Sequence, residues 1–429
     1  MTTTDATDAT PVGDPADLTA EVGAWLDEHW DPDLEAGEWW RMVADAGWTA
    51  PHFKPEEGGR GLGRRSGAIV RAAFGTRDAL RPPGGLGLLM AAPTILTHGT
   101  PEQIERLVRP ILRGEVAWCQ LFSEPGAGSD LAGLTTRATR DGDRWIINGQ
   151  KVWSSMAVDA DYGMLLARTD FDVPKHKGIS WFALRLDQPG VTIRPLREMT
   201  GEAVFNEVFF DDAEVDAVDL IGGEGNGWAV TQTTLFFERS GIGAGGSHAG
   251  FPYPGPKGGT LGRRAGDAAH DPVPGGNLTV PLRDVIELAR STGRNDDPVI
   301  RQNLARLYTL AELGVWNAKR AKAEAARGGG AAMANIGKIT QTRIMKLTSE
   351  TALAILGPDG LLATPDGPED GRYSHAFVFS AASSIYGGTD EIQRNILGER
   401  ILGLPRDGTQ DTKIPYREVL QRIAGGAAS

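Results

Sequence analysis

The apolar residues of this chain change their period twice, and that divides it into three structural regions. From Leu18 to Arg113 they recur at helical spacing, with Trp25, Leu26, Trp30, Trp39, Trp40, Met42 and Val43 marking the stripe. Thr100-Pro101-Glu102-Gln103 predicts a helix start: a Thr cap, Pro at the first position and Gln at the capping-box position. Leu107, Ile111 and Leu112 continue that face. At Ala117 the period shortens. Leu134–Arg140, Asp143–Ile147, Tyr162–Arg168, Ile179–Leu184, Val191–Leu196 and Val204–Phe209 are short runs rich in β-branched and aromatic residues. Asp141-Gly142-Asp143 and Asn148-Gly149 read as turns between them. Helical patterning returns near Gly227 and, with one interruption, runs to Leu402, where Gly403 and Pro405 stop it.

These spans predict an α+β chain. Residues 1–17 read as a disordered tail, 18–116 as a helical domain and 117–222 as an antiparallel β-barrel or sandwich. Residues 223–405 read as a second helical domain and 406–429 as an extension. At 429 residues the chain can hold two or three cores, since one core stops growing near roughly 250–300 residues. The interruption, Gly241 to Gly276, holds 12 of the 57 glycines together with five prolines. It cannot continue a helix and reads as a long flexible insertion.

Net charge is −12, which argues against a nucleic-acid partner but leaves room for a local basic pocket. Cys119 is the one cysteine, so no intrachain disulfide forms and a cytoplasmic location is expected. The acidic N-terminus lacks a signal-peptide pattern. The apolar stretch Leu86–Leu96, interrupted by Pro93, is too short to span a bilayer, so no membrane insertion is expected. Three motifs fail on context. Gly241-Ile-Gly243-Ala-Gly245-Gly246 follows a helix, not a strand. Gly126-Ala-Gly128-Ser129-Asp130 lacks the closing glycine of a nucleophile elbow. The seven histidines show no paired metal spacing, so no metal is expected.

Four segments carry the chemistry: Trp118–Asp130 (WCQLFSEPGAGSD), Ile146–Ser155 (IINGQKVWSS), Phe236–Gly241 (FFERSG) and Ile385–Arg400 (IYGGTDEIQRNILGER). In this order and spacing they resemble the acyl-CoA dehydrogenase family of flavoproteins, over residues 18 to 405. The resemblance implies a helical domain, a central β domain and a C-terminal four-helix bundle. It implies FAD as cofactor, an acyl-CoA substrate and an electron-transfer flavoprotein as acceptor. It also implies a homodimer or homotetramer, or a heterotetramer with a related subunit.

By the same resemblance, Gln120, Phe122 and Ser123 fall at flavin-ring positions, and Gly128 and Ser129 at phosphate and acyl-CoA positions. Trp153, Ser154 and Ser155 match the W-x-T/S segment that covers the flavin edge. Arg290 and Thr292 sit where the family meets the pyrophosphate of a neighbouring subunit, although Gly293 replaces the usual aromatic. Gly357 and Gly360 fit the adenosine loop, with Pro358 and Asp359 departing from its usual glycine and asparagine. Thr389 and Glu391 open the last helix near the adenine or phosphate, where a plain Thr cap is the other reading of Thr389. Tyr386 and Gly388 fall on the substrate side.

The chemistry needs a base for the α-proton, donors that polarise the thioester carbonyl, and a hydride acceptor at the β-carbon. The commonest family pattern places the base in Tyr-Glu-Gly-Thr before the last helix. Here the residues are Tyr386-Gly387-Gly388-Thr389, and glycine takes no proton. Isovaleryl-CoA dehydrogenase-like branches use a Glu-Arg pair on another helix, and Glu238-Arg239 matches it. Glu238 follows Leu235, Phe236 and Phe237, and apolar surroundings push a carboxyl pKa upward toward useful base strength. A solvated glutamate beside Arg239 is the plainer reading. Arg239 is expected to be structural or to position substrate. Two functions stay open: a self-sufficient dehydrogenase, or an FAD-binding partner subunit that does no chemistry. Acyl-CoA oxidases and nitroalkane oxidases share the fold, but at 429 residues the long oxidases' extra C-terminal domain is not expected, and the base position carries Glu, not the nitroalkane branch's Asp. The insertion beside Glu238 is expected to reshape the acyl entrance for a bulky, branched or polycyclic group.

Overall fold

A computed structural model describes residues 15–63, 65–243, 253–271, 280–325, 327, 331–363, 365–405 and 410–426. The N-terminal region folds as α1 (Pro15–His29), α2 (Ala36–Asp45), α3 (Ser66–Gly75), α4 (Ala92–His98) and α5 (Pro101–Leu112). Its core buries Trp39, Trp40 and Trp48. The Trp39 indole donates to Leu80 O at 2.7 Å and the Trp40 indole to Arg81 O at 2.9 Å, so two polar N–H groups enter the core satisfied. Thr100 and Gln103 cap α5 reciprocally, as the spacing predicts. Helix α1 starts at Pro15, so residues 15–17 are its first turn and not tail. The remainder of that expected tail lies outside the described residues.

The β domain comprises β1 (Trp118–Leu121), β2 (Arg137–Asp141), β3 (Arg144–Ser155), β4 (Tyr162–Arg168), β5 (Ile179–Arg185), β6 (Val191–Leu196), β7 (Phe205–Asp216) and β8 (Leu220–Ile221). Strand order is β6-β7-β3-β2-β4-β5-β8, with β1 on β4. The sheet is mixed, not purely antiparallel, because β1 runs parallel to β4 and β2 meets β4 in parallel at Arg137–Arg168. Asp141-Gly142-Asp143 turns as expected, but Asn148-Gly149 lies inside β3. There the β3–β7 register shifts, Asn148 Nδ2 donates to Asp212 Oδ1 at 2.9 Å, and a Cβ on Gly149 would approach Thr136 Oγ1 to 2.6 Å. The glycine makes a bulge and a close approach, not a turn.

One sheet face packs Met164, Leu166, Trp181 and Ala183 against Ile95, Leu107 and Ile111, and against Val230 of α6 (Gly227–Gly243). The other encloses Cys119, Leu121, Ile147, Leu165, Phe182, Leu184, Val208 and Phe210. The C-terminal region comprises α8 (Leu282–Ser291), α9 (Pro298–Ala325), α10 (Ala331–Leu356), α11 (Arg372–Ser380) and α12 (Asp390–Arg400). Val285, Ala289, Ile300, Ala352, Ile355 and Tyr373 form its core. The extension forms α13 (Tyr416–Gly426) and docks back on the β domain: Tyr416 N donates to Val173 O at 3.0 Å and Arg417 N to Phe171 O at 2.9 Å.

The expected flexible insertion is different where it is described. Residues 253–271 are a packed strap that contains α7 (Ala265–Ala269), and Ala265 and Ala268 are buried in the tryptophan core. Ala36 N donates to Arg263 O at 2.8 Å, Gly37 N to Leu261 O at 2.9 Å, Ala265 N to Leu34 O at 2.8 Å and Gly255 N to Gly114 O at 2.9 Å. Its main-chain groups are paired with another element, which a slack loop would leave to water. Its first three residues, Gly241–Gly243, continue α6 against expectation, and its parts 244–252 and 272–276 lie outside the described residues. No described helix is long and apolar enough to cross a membrane.

Candidate active site

β1 ends in a loop whose exposed tip is held from behind by buried charge. Glu124 and Ala127 exchange main-chain hydrogen bonds at 3.0 Å each, which closes a tight turn. The Glu124 carboxylate is buried and accepts from Lys151 Nζ at 2.8 Å, Thr135 N at 2.7 Å and Thr136 N at 2.8 Å. Burial alone would raise this carboxyl, but the Lys151 ammonium and the threonine donors hold it at about 2. Arg168, also buried, donates to Leu134 O at 3.1 Å, Ala132 O at 2.7 Å and Lys175 O at 2.9 Å. Burial lowers it to about 10, against the pull of nearby Tyr416 and the carboxylates. Sequence reasoning missed this scaffold, although Glu124 and Lys151 both lie inside the quoted segments.

In front of it Gly126, Gly128 and Ser129 are exposed, and a Cβ on either glycine would meet nothing within 4 Å. Phe122 is buried, and Gln120 and Ser123 are half-buried. Val152 N donates to Ser123 O at 3.0 Å, which joins this loop to the end of β3. There Trp153 is 58% exposed and Ser155 half-buried, while Ser154 is fully buried with its carbonyl accepting from Asn206 Nδ2 at 3.0 Å. Burial thus separates Ser154 from the two residues beside it.

The Glu-Arg pair stands on α6, which packs against β5, α4 and α10. Thr234 is buried and bonded to Thr94 at 3.1 Å, and Thr233 meets His98 at 2.8 Å. Glu238, one turn on, is half-buried, and Phe236 is 50% exposed. The Arg239 side chain lies outside the described part. Tyr386, also against α10, is partly exposed and donates to Met345 Sδ at 3.6 Å. Gly387 and Gly388 have φ of +64° and +84°. A glutamate at position 387 would carry left-handed backbone strain. Thr389 caps α12 through Ile392 N at 3.2 Å.

Arg290, Thr292, Gly357 and Glu391 are exposed on the helical bundle. Their partners there are local: Arg290 with Glu287 at 3.7 Å, Thr292 with Leu288 O at 2.7 Å, Glu391 with Arg394 at 3.2 Å. Gly360 is buried.

Residues 17–115 match the acyl-CoA dehydrogenase N-terminal domain, 119–213 the middle domain and 275–402 the C-terminal domain. The chain belongs to the acyl-CoA dehydrogenase family. It is an oxidoreductase, and the family works with a flavin. The residues fit one: open main chain at Gly126 and Gly128, a rigid scaffold behind it, and an exposed indole beside it. Acyl-CoA dehydrogenase IpdE1 of Mycobacterium tuberculosis is 39% identical over 87% of this chain and 89% of its own length. Acyl-CoA dehydrogenase FadE34 of the same organism is 38% identical over 85% of this chain, which spans 46% of that longer protein. Among solved structures, the Tcur3481-Tcur3483 steroid ACAD has a TM-score of 0.69 at 25% identity, over 93% of this chain and 100% of that one. The ChsE4-ChsE5 complex from Mycobacterium tuberculosis has a TM-score of 0.66 at 27% identity, over 93% and 100%.

Proposed function

We propose that this acyl-CoA dehydrogenase uses FAD to convert a bulky, polycyclic acyl-CoA to its trans-2-enoyl-CoA, with Glu238 as the base. The observation that carries the base is a loss and a gain at two elements that both pack on α10. The turn before α12 is built for glycine at 387, and α6 presents a half-buried carboxylate at 238. Glu238 takes the α-proton, and the exposed main chain at Gly126, Gly128 and Ser129 suits an anionic group. The flavin supplies hydride acceptance at the β-carbon. Trp153 shields that edge from water. Electrons then pass to an electron-transfer flavoprotein.

Glu238→Gln is expected to keep bound yellow FAD and to lose flavin reduction by acyl-CoA by at least about 100-fold, the scale of general-base catalysis. Stopped-flow bleaching of the flavin measures this, and a near wild-type rate would falsify the assignment. The polycyclic substrate rests on similarity to a steroid ACAD. An acyl-CoA panel with an artificial acceptor tests it, and a preference for short linear chains overturns it.

A second reading, an FAD-holding partner in a heteromeric enzyme, is favoured by similarity to the two-chain ChsE4-ChsE5 complex. Stoichiometric FAD and turnover from the chain purified alone would exclude it.

A further inference from the structure

The segment that ends β3 holds two non-glycine residues in the left-handed region, Trp153 at φ +61° and Met156 at φ +56°. Such residues are strained and persist only where their surroundings over-determine them. Three of the restraining hydrogen bonds come from the β domain itself. Val152 N donates to Ser123 O at 3.0 Å, Asn206 Nδ2 to Ser154 O at 3.0 Å, and Met156 N to Val204 O at 2.9 Å. A fourth comes from the strap: Tyr253 Oη donates to Met156 O at 3.3 Å.

The strap delivers this hydroxyl firmly. Two residues on, Gly255 N is bonded to Gly114 O at 2.9 Å, and Lys257 Nζ donates to Ala160 O at 2.7 Å. Burial pushes the Tyr253 phenol well up, and Cys119, Asp159 and Asp161 push the same way, so it stays a protonated donor. In sequence the strap comes next after α6, with Tyr253 fifteen residues after Glu238 and residues 244–252 between them outside the described part. One stretch of chain therefore joins the helix of the proposed base to the turn at the proposed flavin edge.

We propose that Tyr253 is a positioning residue that holds the Trp153–Met156 turn in the geometry that meets the flavin. This rests on the reading that Trp153 and Ser155 cover the flavin edge. The test compares Tyr253→Phe with Lys257→Met in the full-length holoenzyme. Each removes one side-chain anchor of the strap, but Tyr253 alone bonds to the turn. Tyr253→Phe is expected to weaken FAD binding about five-fold, the worth of one net hydrogen bond. It should also shift the visible flavin band and lower kcat with KM unchanged. Lys257→Met should match the wild type in FAD affinity and spectrum, even where both variants melt earlier. Equal effects of the two variants on FAD affinity and spectrum, or a Tyr253→Phe protein identical to wild type, overturn the proposal. A wild-type protein that binds no FAD overturns the flavin reading itself, and the two failures are distinguished because that one needs no variant.

Discussion

Glu124 shows why the loop at the site needs charge behind it. Its folded carboxyl sits at about 2 against an ordinary 4.5. Burial takes Lys151 down to about 8, with Glu124 pulling it back, so the pair is charged at neutral pH. A depressed carboxyl contributes stability that is present above about pH 4.5 and is lost as pH falls toward 2. Urea unfolding of the wild type should therefore show its stability falling across that window, and the slope should flatten in Glu124→Gln. At pH 7 the variant should lose about 3–5 kcal/mol, because the Lys151 charge is left buried and unpaired. The double variant Glu124→Gln, Lys151→Met should regain most of that. A single variant as stable as wild type would remove the pair from any structural role. Neither residue carries a local signal of this bond, since the two stand 27 positions apart.

At the scale of elements, the strap inverts what its composition suggests. Glycine and proline mark 241–276 as non-helical, and that holds for 253–264, but non-helical is not slack. What anchors the segment is a few small residues, Ala265 and Ala268, meeting tryptophans more than two hundred positions earlier. No periodicity reveals such a long-range contact. Two elements were legible to the residue: β4 (Tyr162–Arg168), an apolar run buried along nearly its whole length, and β6 (Val191–Leu196), whose first four residues alternate between half-buried and exposed, match their expected bounds. Asn148-Gly149 misled because a bulge and a hairpin turn use the same dipeptide. The site segments were legible because their residues are contiguous, whereas Tyr253 and Asn206 reach the same turn from elsewhere. Replacing 253–271 with a short Gly/Ser linker should lower the melting temperature by several degrees, since it opens the tryptophan core and frees paired main chain. Differential scanning calorimetry measures this. An unchanged melt would return the segment to the status of a tolerated linker.

Among the described residues one long helix, α9, keeps an apolar face exposed. Tyr308, Val315 and Trp316 on α9 lie within one helical face and are exposed, Trp316 by 65%. Lys319 lies over the Trp316 ring at 5.3 Å and continues the stripe. Large exposed apolar stripes on a helix suit association better than solvent. The proposed cofactor positions Arg290, Thr292 and Gly357 are exposed on the same bundle, where Arg290 and Thr292 bond to Glu287 and Leu288 of their own helix. Both observations fit a second chain of the same fold that packs on the bundle and shares its flavin sites. Trp316→Glu in the full-length protein should therefore lower the mass seen by light scattering. The flavin-to-protein absorbance ratio should fall with it, whereas Trp316→Phe should keep both. An unchanged mass would take α9 out of the interface. A lowered mass with full flavin occupancy would show that each chain holds its flavin alone, and Arg290 and Thr292 would then lose their proposed role on a neighbour.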